Sequence, residues 1–347
     1  MLYDNKRINR IDYLEYNIEW VIGNYCNFAC TYCFDNSNLG THKPPVKWAD
    51  AKLMIDNVVY LITEIKKSIP PAAQLQITFS GGEPTTYKHF PKICEVVKDM
   101  GIDIMLITNG SMPVKWWRKN MHLFDVVMLS AHTEFTNLDH LKEIIHLFAD
   151  YPHSRASVAI LTGNKTYNKA IEWFKDLSVI QETKPYIDVR LSTIRRTERN
   201  VTWEELNDDQ LSIVKNLMLD SDRIRYKQEF PRRVSKSGTV RPEPQYQLSD
   251  NSWHDLNYHR QQKHITGNWI GYECNAPIQF LSIQEDFRVS KLACGQSIFP
   301  EPIYVTDRNF KEKFTVPQPV ICSIDAGVNC NCIGLMESNK VWVEPDD

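Results

Sequence analysis

No run of eighteen apolar residues occurs in this 347-residue chain, so no membrane-spanning helix is expected. The first residues, Met1-Leu-Tyr-Asp-Asn-Lys-Arg, lack the apolar segment of a secretory signal. Internal repeats and low-complexity tracts are missing too, which excludes solenoid and tandem-array architectures. Nor is there an excess of one charge: 40 Lys and Arg face 43 Asp and Glu. The net charge of −3 gives no overall bias toward nucleic acid or membrane surfaces. What the chain does have is cysteine, nine residues gathered in clusters. Such clustering argues for metal ligation in a reducing compartment rather than a secreted disulfide framework, and the expected location is the cytoplasm.

The densest cluster is Cys26-Asn-Phe-Ala-Cys30-Thr-Tyr-Cys33-Phe34, just after an apolar, strand-like stretch. A cubane [4Fe–4S] cluster ordinarily takes four cysteine ligands. Three thiolates at this spacing would hold three irons and leave the fourth open to a ligand from outside the protein. Zinc fits less well, because zinc sites pair CX2C units or add histidines at fixed spacing. The plain alternative is three buried cysteines near a strand end. Further along, Leu75-Gln-Ile-Thr-Phe79 reads as a short buried strand running into Ser80-Gly81-Gly82-Glu83-Pro84-Thr85. Paired glycines let the backbone come close to a ligand, and the proline fixes the turn.

The CX3CX2C triplet with Gly81-Gly82-Glu83-Pro84 resembles the radical S-adenosylmethionine (radical SAM) superfamily. The resemblance extends to Leu106-Ile-Thr-Asn-Gly110 and Val126-Val-Met-Leu-Ser130, in the expected order. It implies an α/β fold, a partial (β/α)6 barrel. The residue pattern agrees. Candidate strands are 16–22, 75–79, 103–108, 126–130, 156–161 and 186–191; helical periodicity covers 48–67, 90–100, 114–119, 138–149 and 168–177. Such alternation argues for βαβ units and a parallel sheet, with the reactive site at the C-terminal strand ends.

The resemblance also implies roles. Cys26, Cys30 and Cys33 ligate a [4Fe–4S] cluster whose open iron binds the amino and carboxylate groups of SAM. Tyr32 matches the aromatic position that touches adenine, and Phe34 adds packing. Gly81, Gly82, Glu83 and Pro84 match the segment receiving the methionine amino group. Thr108, Asn109 and Ser130 suit ribose and carboxylate, or else simple strand-end turn chemistry. Arg190 could pair with a carboxylate of SAM or substrate, or form a structural ion pair. A low-potential donor such as flavodoxin or ferredoxin would supply the electron.

The barrel is expected over 1–219, closing with a helix near 202–219. A basic, proline-containing linker or lip follows over 220–265, with Arg223, Arg225, Lys227, Arg232, Arg233, Lys236 and Arg241 among Pro231, Pro242 and Pro244. It reads as a solvated linker or as a guide for an acidic substrate; Trp253, Tyr258 and Trp269 read as core packing, ahead of a cap over the barrel mouth. Residues 266–347 form a small cysteine-rich C-terminal extension. There, 278–290 reads as a β-hairpin turning at Glu285-Asp286. This layout partly resembles SPASM/Twitch extensions, which implies one auxiliary [4Fe–4S] cluster on Cys274, Cys294, Cys330 and Cys332. Cys322 would then be a ligand, a hydrogen donor to a substrate radical, or a spare thiol. Zinc in the tail is the rival reading. Cys94 falls in a helical pattern and belongs to the core.

The implied function is hydrogen abstraction by a 5′-deoxyadenosyl radical. A peptide substrate (epimerised, cross-linked or dehydrogenated) is preferred over a small alcohol or amino sugar. The 25 residues before Cys26 are expected to be too few for a leader-binding module; this weakens the peptide reading without removing it, since leader recognition can come from a separate chain or from 220–252. An iron–sulfur electron carrier or binding protein is the alternative of another class. Neither a membrane nor a nucleic acid partner is expected.

Overall fold

Apolar residues at every second position build the parallel strands, and the intervening helices bury one stripe each. The computed structural model describes residues 5–8, 15–33, 48–70, 73–151, 154–184, 186–194, 206–227, 245–248, 253–255, 272–274, 276–289, 299–321 and 340–342. The elements begin with β1 (Asn5–Ile8), β2 (Glu15–Val21), α1 (Trp48–Ser68), β3 (Gln74–Ser80), α2 (Phe90–Asp99), β4 (Asp103–Thr108) and α3 (Val114–Asn120). They continue with β5 (Val126–His132), α4 (Leu138–Ala149), β6 (Arg155–Thr162), α5 (Tyr167–Thr183), β7 (Ile187–Thr193) and α6 (Asp208–Lys227). The remainder adds β8 (Gln245–Leu248), β9 (Trp253–Asp255), β10 (Tyr272–Cys274), α7 (Ala276–Gln279), β11 (Phe280–Ile283) and β12 (Arg288–Val289). Last come β13 (Ile303–Tyr304), α8 (Phe310–Lys313), β14 (Val320–Ile321) and β15 (Lys340–Trp342).

The chain divides into two units, one of Met1–Trp20, Trp48–Gln76 and Arg233–Asp347, the other of Val21–Lys47 and Ile77–Arg232. In the second unit β3, β4, β5, β6 and β7 lie side by side in chain order, and β7 forms an open edge. The register between β4 and β7 is parallel throughout. Ile104 and Leu106, Val127 and Leu129, Val158 and Ile160, and Ile187 and Val189 are fully buried. α4 shows why the helices pack as they do: Leu141, Ile144, Ile145 and Phe148 fall on one stripe and are buried. Each such side chain contributes about 1.5–3 kcal/mol. On the opposite face of the sheet Met128, Ser130, Ser157, Asp188 and Arg190 are only half-buried. Register sets Ser130, Ala159 and Arg190 in one layer, with Met128, Ser157 and Asp188 in the next.

In the first unit β11 runs parallel to β2, pairing Phe280 with Asn17 and Ile283 with Trp20. β12 and β13 add antiparallel strands. A second, antiparallel sheet has the order β14-β10-β15-β1-β8-β9. α1 buries Met54, Val58, Leu61, Ile62 and Ile65, and the segment around α8 buries Phe299, Val305, Phe310 and Phe314. Asn57 joins the two: it is buried, and its side-chain amide donates to the carbonyls of Val305 (2.9 Å) and Asp307 (2.8 Å).

All six expected barrel strands are present, as are the helices between them and the hairpin between β11 and β12. At the hairpin turn Asp286 Oδ1 accepts from Arg288 N–H at 3.1 Å, and Phe287 takes φ +67°. Two expectations shift. β5 continues two residues past Ser130 to His132. The helix expected over 202–219 runs from Asp208 to Lys227, so Arg223, Arg225 and Lys227 stand on a helix rather than in an irregular segment. Its first turn carries Asp208 and Asp209, which suit a helix N-terminus, and no proline interrupts before Pro231. Arg232, Arg233, Lys236, Arg241, Tyr258 and Trp269 lie outside the described residues. Replacing Asn57 with Ala removes two donors from buried carbonyls. The variant should lose about 2 kcal/mol of stability, read as a lower urea midpoint at unchanged slope.

Candidate functional site

β2 ends at Val21, and the chain then runs on alongside the end of β3 in the same direction. Ile22 N–H donates to Ser80 O (2.9 Å), Gly82 N–H to Gly23 O (3.1 Å) and Glu83 N–H to Tyr25 O (2.7 Å). No side chain fits between these backbones. Gly81 has φ +124°, and a Cβ there would sit 2.4 Å from Gly23 O; a Cβ on Gly82 would sit 2.0 Å from Tyr25 O. Sequence reasoning attributed this close approach to a ligand. The backbone that the glycine pair admits is that of the cysteine loop.

Glu83 ties β3 to β4. Its carboxylate is fully buried and accepts from Thr85 N–H (3.1 Å), the Thr85 hydroxyl, the Thr108 hydroxyl (2.7 Å) and Asn109 N–H (2.6 Å). Burial pushes the Glu83 pKa up, while these four donors pull against it. Pro84 opens the single helical turn that follows. The Thr108 hydroxyl is itself buried and accepts from Gly110 N–H at 3.1 Å. From the same strand end, the Asn109 amide donates to Asn27 Oδ1 (3.0 Å) and toward Cys26 Sγ (3.6 Å).

The end of β5 grips the loop from another side. Glu134 accepts from Thr31 N–H (2.8 Å) and from the Thr31 hydroxyl. His132 Nδ1 lies 3.3 Å from Cys30 Sγ and 3.0 Å from the Tyr32 hydroxyl, and the Tyr32 and His132 rings stack 12° from parallel. Phe28 meets His132 edge-on and stacks on Phe135. Burial lowers the His132 pKa to about 4, with Glu134 opposing. Sequence reasoning singled out none of Asn27, Phe28, Thr31, His132 and Glu134. The available signal was strand alternation carried past Ser130, which puts His132 on the same face as Met128 and Ser130.

Cys30 is buried, Cys26 and Cys33 are half-buried, and none of the three is in a disulfide. Burial raises the Cys26 pKa and pushes Cys30 up to about 12, with the charges of Cys33, Cys26 and Glu134 adding. Cys26 Sγ accepts from Phe28 N–H at 3.4 Å, the kind of bond a thiolate takes. Among the described residues no three His, Cys, Asp or Glu side chains converge on a single ion position. A cubane places each thiolate on a separate iron, so its cysteine ligands need not meet at one point. This donor set fits a cluster.

Ser130 and Arg190 stand apart from this knot of contacts, on the half-buried face of the sheet. Arg190 Nη2 points at Met128 Sδ at 3.5 Å, and Ser157 donates to Asp188 at 3.1 Å. Cys94 is fully buried in α2, as expected. Cys274 closes β10. Phe34, Cys294, Cys322, Cys330 and Cys332 lie outside the described residues.

The packing at Gly82 yields a direct test. Gly82→Ala should lose the share of iron that the cysteine loop takes up in anaerobic reconstitution, because the loop must separate from β3. Gly163→Ala, whose Cβ would meet the Ile194 side chain at 3.1 Å and the Thr166 hydroxyl at 4.0 Å, should keep it.

Residues 20–183 match the family model described as Radical SAM superfamily. Among curated relatives, an S-adenosylmethionine-dependent nucleotide dehydratase from Thermoplasmatales archaeon (strain ISO4-H5) is 25% identical over 194 residues. That match covers 53% of this chain and 62% of the relative. The radical SAM cyclopropyl synthase TigE from Paramaledivibacter caminithermalis is 31% identical over 121 residues, 32% of this chain and 26% of the relative. Among solved structures, Streptococcus suis SuiB bound to S-adenosylmethionine shares the fold. Its TM-score is 0.53 at 11% identity, covering 86% of this chain and 65% of SuiB. The chain spans less than two thirds of each of these three proteins. With the CX3CX2C loop docked on the glycine pair at the ends of parallel strands, residues 20–183 are a radical SAM superfamily domain.

Proposed function

We propose that this chain is a radical SAM enzyme in which Cys26, Cys30 and Cys33 hold a [4Fe–4S] cluster. The observation that carries this reading is the convergence of three strand ends, those of β3, β4 and β5, on one loop of three thiols. Bound there, the cluster with SAM would supply one-electron cleavage of the sulfonium, giving methionine and a 5′-deoxyadenosyl radical that takes a hydrogen atom from substrate.

The residues divide into anchors and contacts. Glu83 and Thr108, with their buried hydrogen bonds, hold the ends of β3 and β4 at fixed spacing. The Gly81-Gly82 backbone receives the methionine amino group, and Pro84 fixes the turn beyond it. Tyr32 offers a ring face to adenine beside Phe34. Asn109 and Ser130 serve the ribose and carboxylate. Arg190, set against a sulfur rather than a carboxylate among the described residues, is the cation for a carboxylate of SAM or of substrate. Flavodoxin or ferredoxin is the reductant class.

For substrate we put first a peptide, to be epimerised, cross-linked or dehydrogenated. This rests on the partial SPASM/Twitch resemblance of the C-terminal cysteines. Cys274, Cys294, Cys330 and Cys332 would hold an auxiliary [4Fe–4S] cluster, and Cys322 would donate hydrogen. The second reading is a small molecule, an alcohol or amino sugar. The relatives named nucleotide dehydratases favour a nucleotide within that class.

Anaerobic protein with strong reductant should release 5′-deoxyadenosine and methionine, and Cys26→Ala should release none. Arg190→Gln should raise KM for SAM or substrate at least about tenfold, the loss of one charge-assisted contact. Deoxyadenosine release stimulated by nucleoside phosphates and indifferent to acidic peptides would displace the peptide reading. The Cys26/Cys30/Cys33→Ala triple variant should retain about four irons; near-zero iron in folded protein would eliminate the auxiliary cluster.

A further inference from the structure

The end of β5 makes a contact for which the proposed chemistry assigns no role. His132 Nδ1 lies 3.3 Å from Cys30 Sγ and 3.0 Å from the Tyr32 hydroxyl, so two neighbours compete for one nitrogen. While Cys30 is a thiol, its S–H and the Tyr32 O–H can donate, and Nδ1 accepts. A thiolate bound to iron has no proton to give and takes hydrogen bonds instead. A neutral imidazole carries a single N–H, and its partners decide which nitrogen bears it. A ligated Cys30 thiolate also takes the Tyr32 O–H; Nδ1, 3.3 Å from the same sulfur, then has no proton to accept from either neighbour, and its own N–H gives the sulfur a second donor.

We propose that His132 donates Nδ1–H to the Cys30 thiolate when Cys30 ligates iron, and that this bond raises the reduction potential of the cluster without holding the cluster in place. The proposal rests on the radical SAM reading of the same loop. Reduction adds one electron, taken from an external low-potential reductant, and part of the added charge spreads onto the thiolate sulfurs. A donor aimed at a sulfur therefore favours the reduced form over the oxidised one, and hydrogen bonds to sulfur are among the terms that set cluster potentials. Cys30 is the buried member of the triplet, where such a bond is weakly screened.

Holding the loop falls to other groups. Glu134 takes both the N–H and the hydroxyl of Thr31, and the β3 end fixes Tyr25. Removing the His132 N–H should thus leave the loop in position. The ring itself stacks on Tyr32 with centroids 5.7 Å apart, a contact that a phenyl group preserves.

The test compares three variants of the reconstituted full chain. His132→Phe keeps the ring and loses the donor. In His132→Asn the amide nitrogen falls near the position of Nδ1; in His132→Gln it reaches instead toward the position of Nε2. Iron and sulfide content is measured first. The midpoint potential is then titrated by following the electron paramagnetic resonance signal that added SAM perturbs, which singles out this cluster from any other. The proposal expects wild-type iron in all three, a lower potential in His132→Phe and His132→Gln, and recovery toward wild type in His132→Asn. An unchanged potential in a fully loaded His132→Phe overturns it. So does iron loss in His132→Phe and His132→Asn alike, which would make the residue structural. Wild-type protein with no SAM-responsive cluster would overturn the underlying reading instead.

Discussion

Two backbones meet at the ends of β2 and β3 with no space for a side chain between them. Ile22, Gly82 and Glu83 each donate an N–H across this seam, and each such bond is worth about 0.5–1.5 kcal/mol net. The sum is modest, so it holds only while nothing pushes the strands apart. A Cβ on Gly82, 2.0 Å from Tyr25 O, would open the seam and cost all of it. Every other contact of the cysteine loop presupposes this docking, because the seam fixes Tyr25, the residue before the first thiol.

From that point the loop is held by parallel topology. Neighbouring strands lie about 4.8 Å apart, so the C-terminal ends of three adjacent strands can all reach a loop of eight residues. β3 contributes the backbone seam and β4 contributes Asn109, which reaches Cys26. β5 contributes His132 and Glu134, which reach Cys30, Thr31 and Tyr32. Glu83 keeps the first two ends together. A buried carboxylate is costly unless fully hydrogen-bonded, and its four donors are all local to β3 and β4. Glu83 therefore acts here as a joint between strands.

The fold was legible because its signal is repeated. Six strands alternating with helices announce a parallel sheet even when single boundaries drift, and the β11–β12 turn followed from Glu285-Asp286. The thiols and the glycine pair were legible as short-range motifs. Residues that act across long sequence distances were not. Glu134 meets Thr31 from 103 residues away and Asn57 meets Asp307 from 250, and no local pattern marks either. His132 was within reach: alternation from Met128 through Ser130 continues to it, and ending the strand at Ser130 hid it. The glycine pair was legible as a close approach, and the structure adds the cysteine-loop backbone as one thing it approaches; a sequence reveals that a backbone must come close but not every partner it meets.

Burial gives the cysteine loop a double character. It raises the pKa of Cys26 and Cys30, which disfavours the thiolate, the reactive form of cysteine. Iron must therefore displace protons to bind, which couples loading of the loop to proton release. Once the thiolates are formed, the same low-polarity surroundings strengthen every donor aimed at them. A site that suppresses thiolate chemistry when empty thus amplifies its hydrogen bonds when filled. On that logic, the ring of His132 beside Cys30 matters most in the metal-bound state, where a single N–H acts on a buried sulfur.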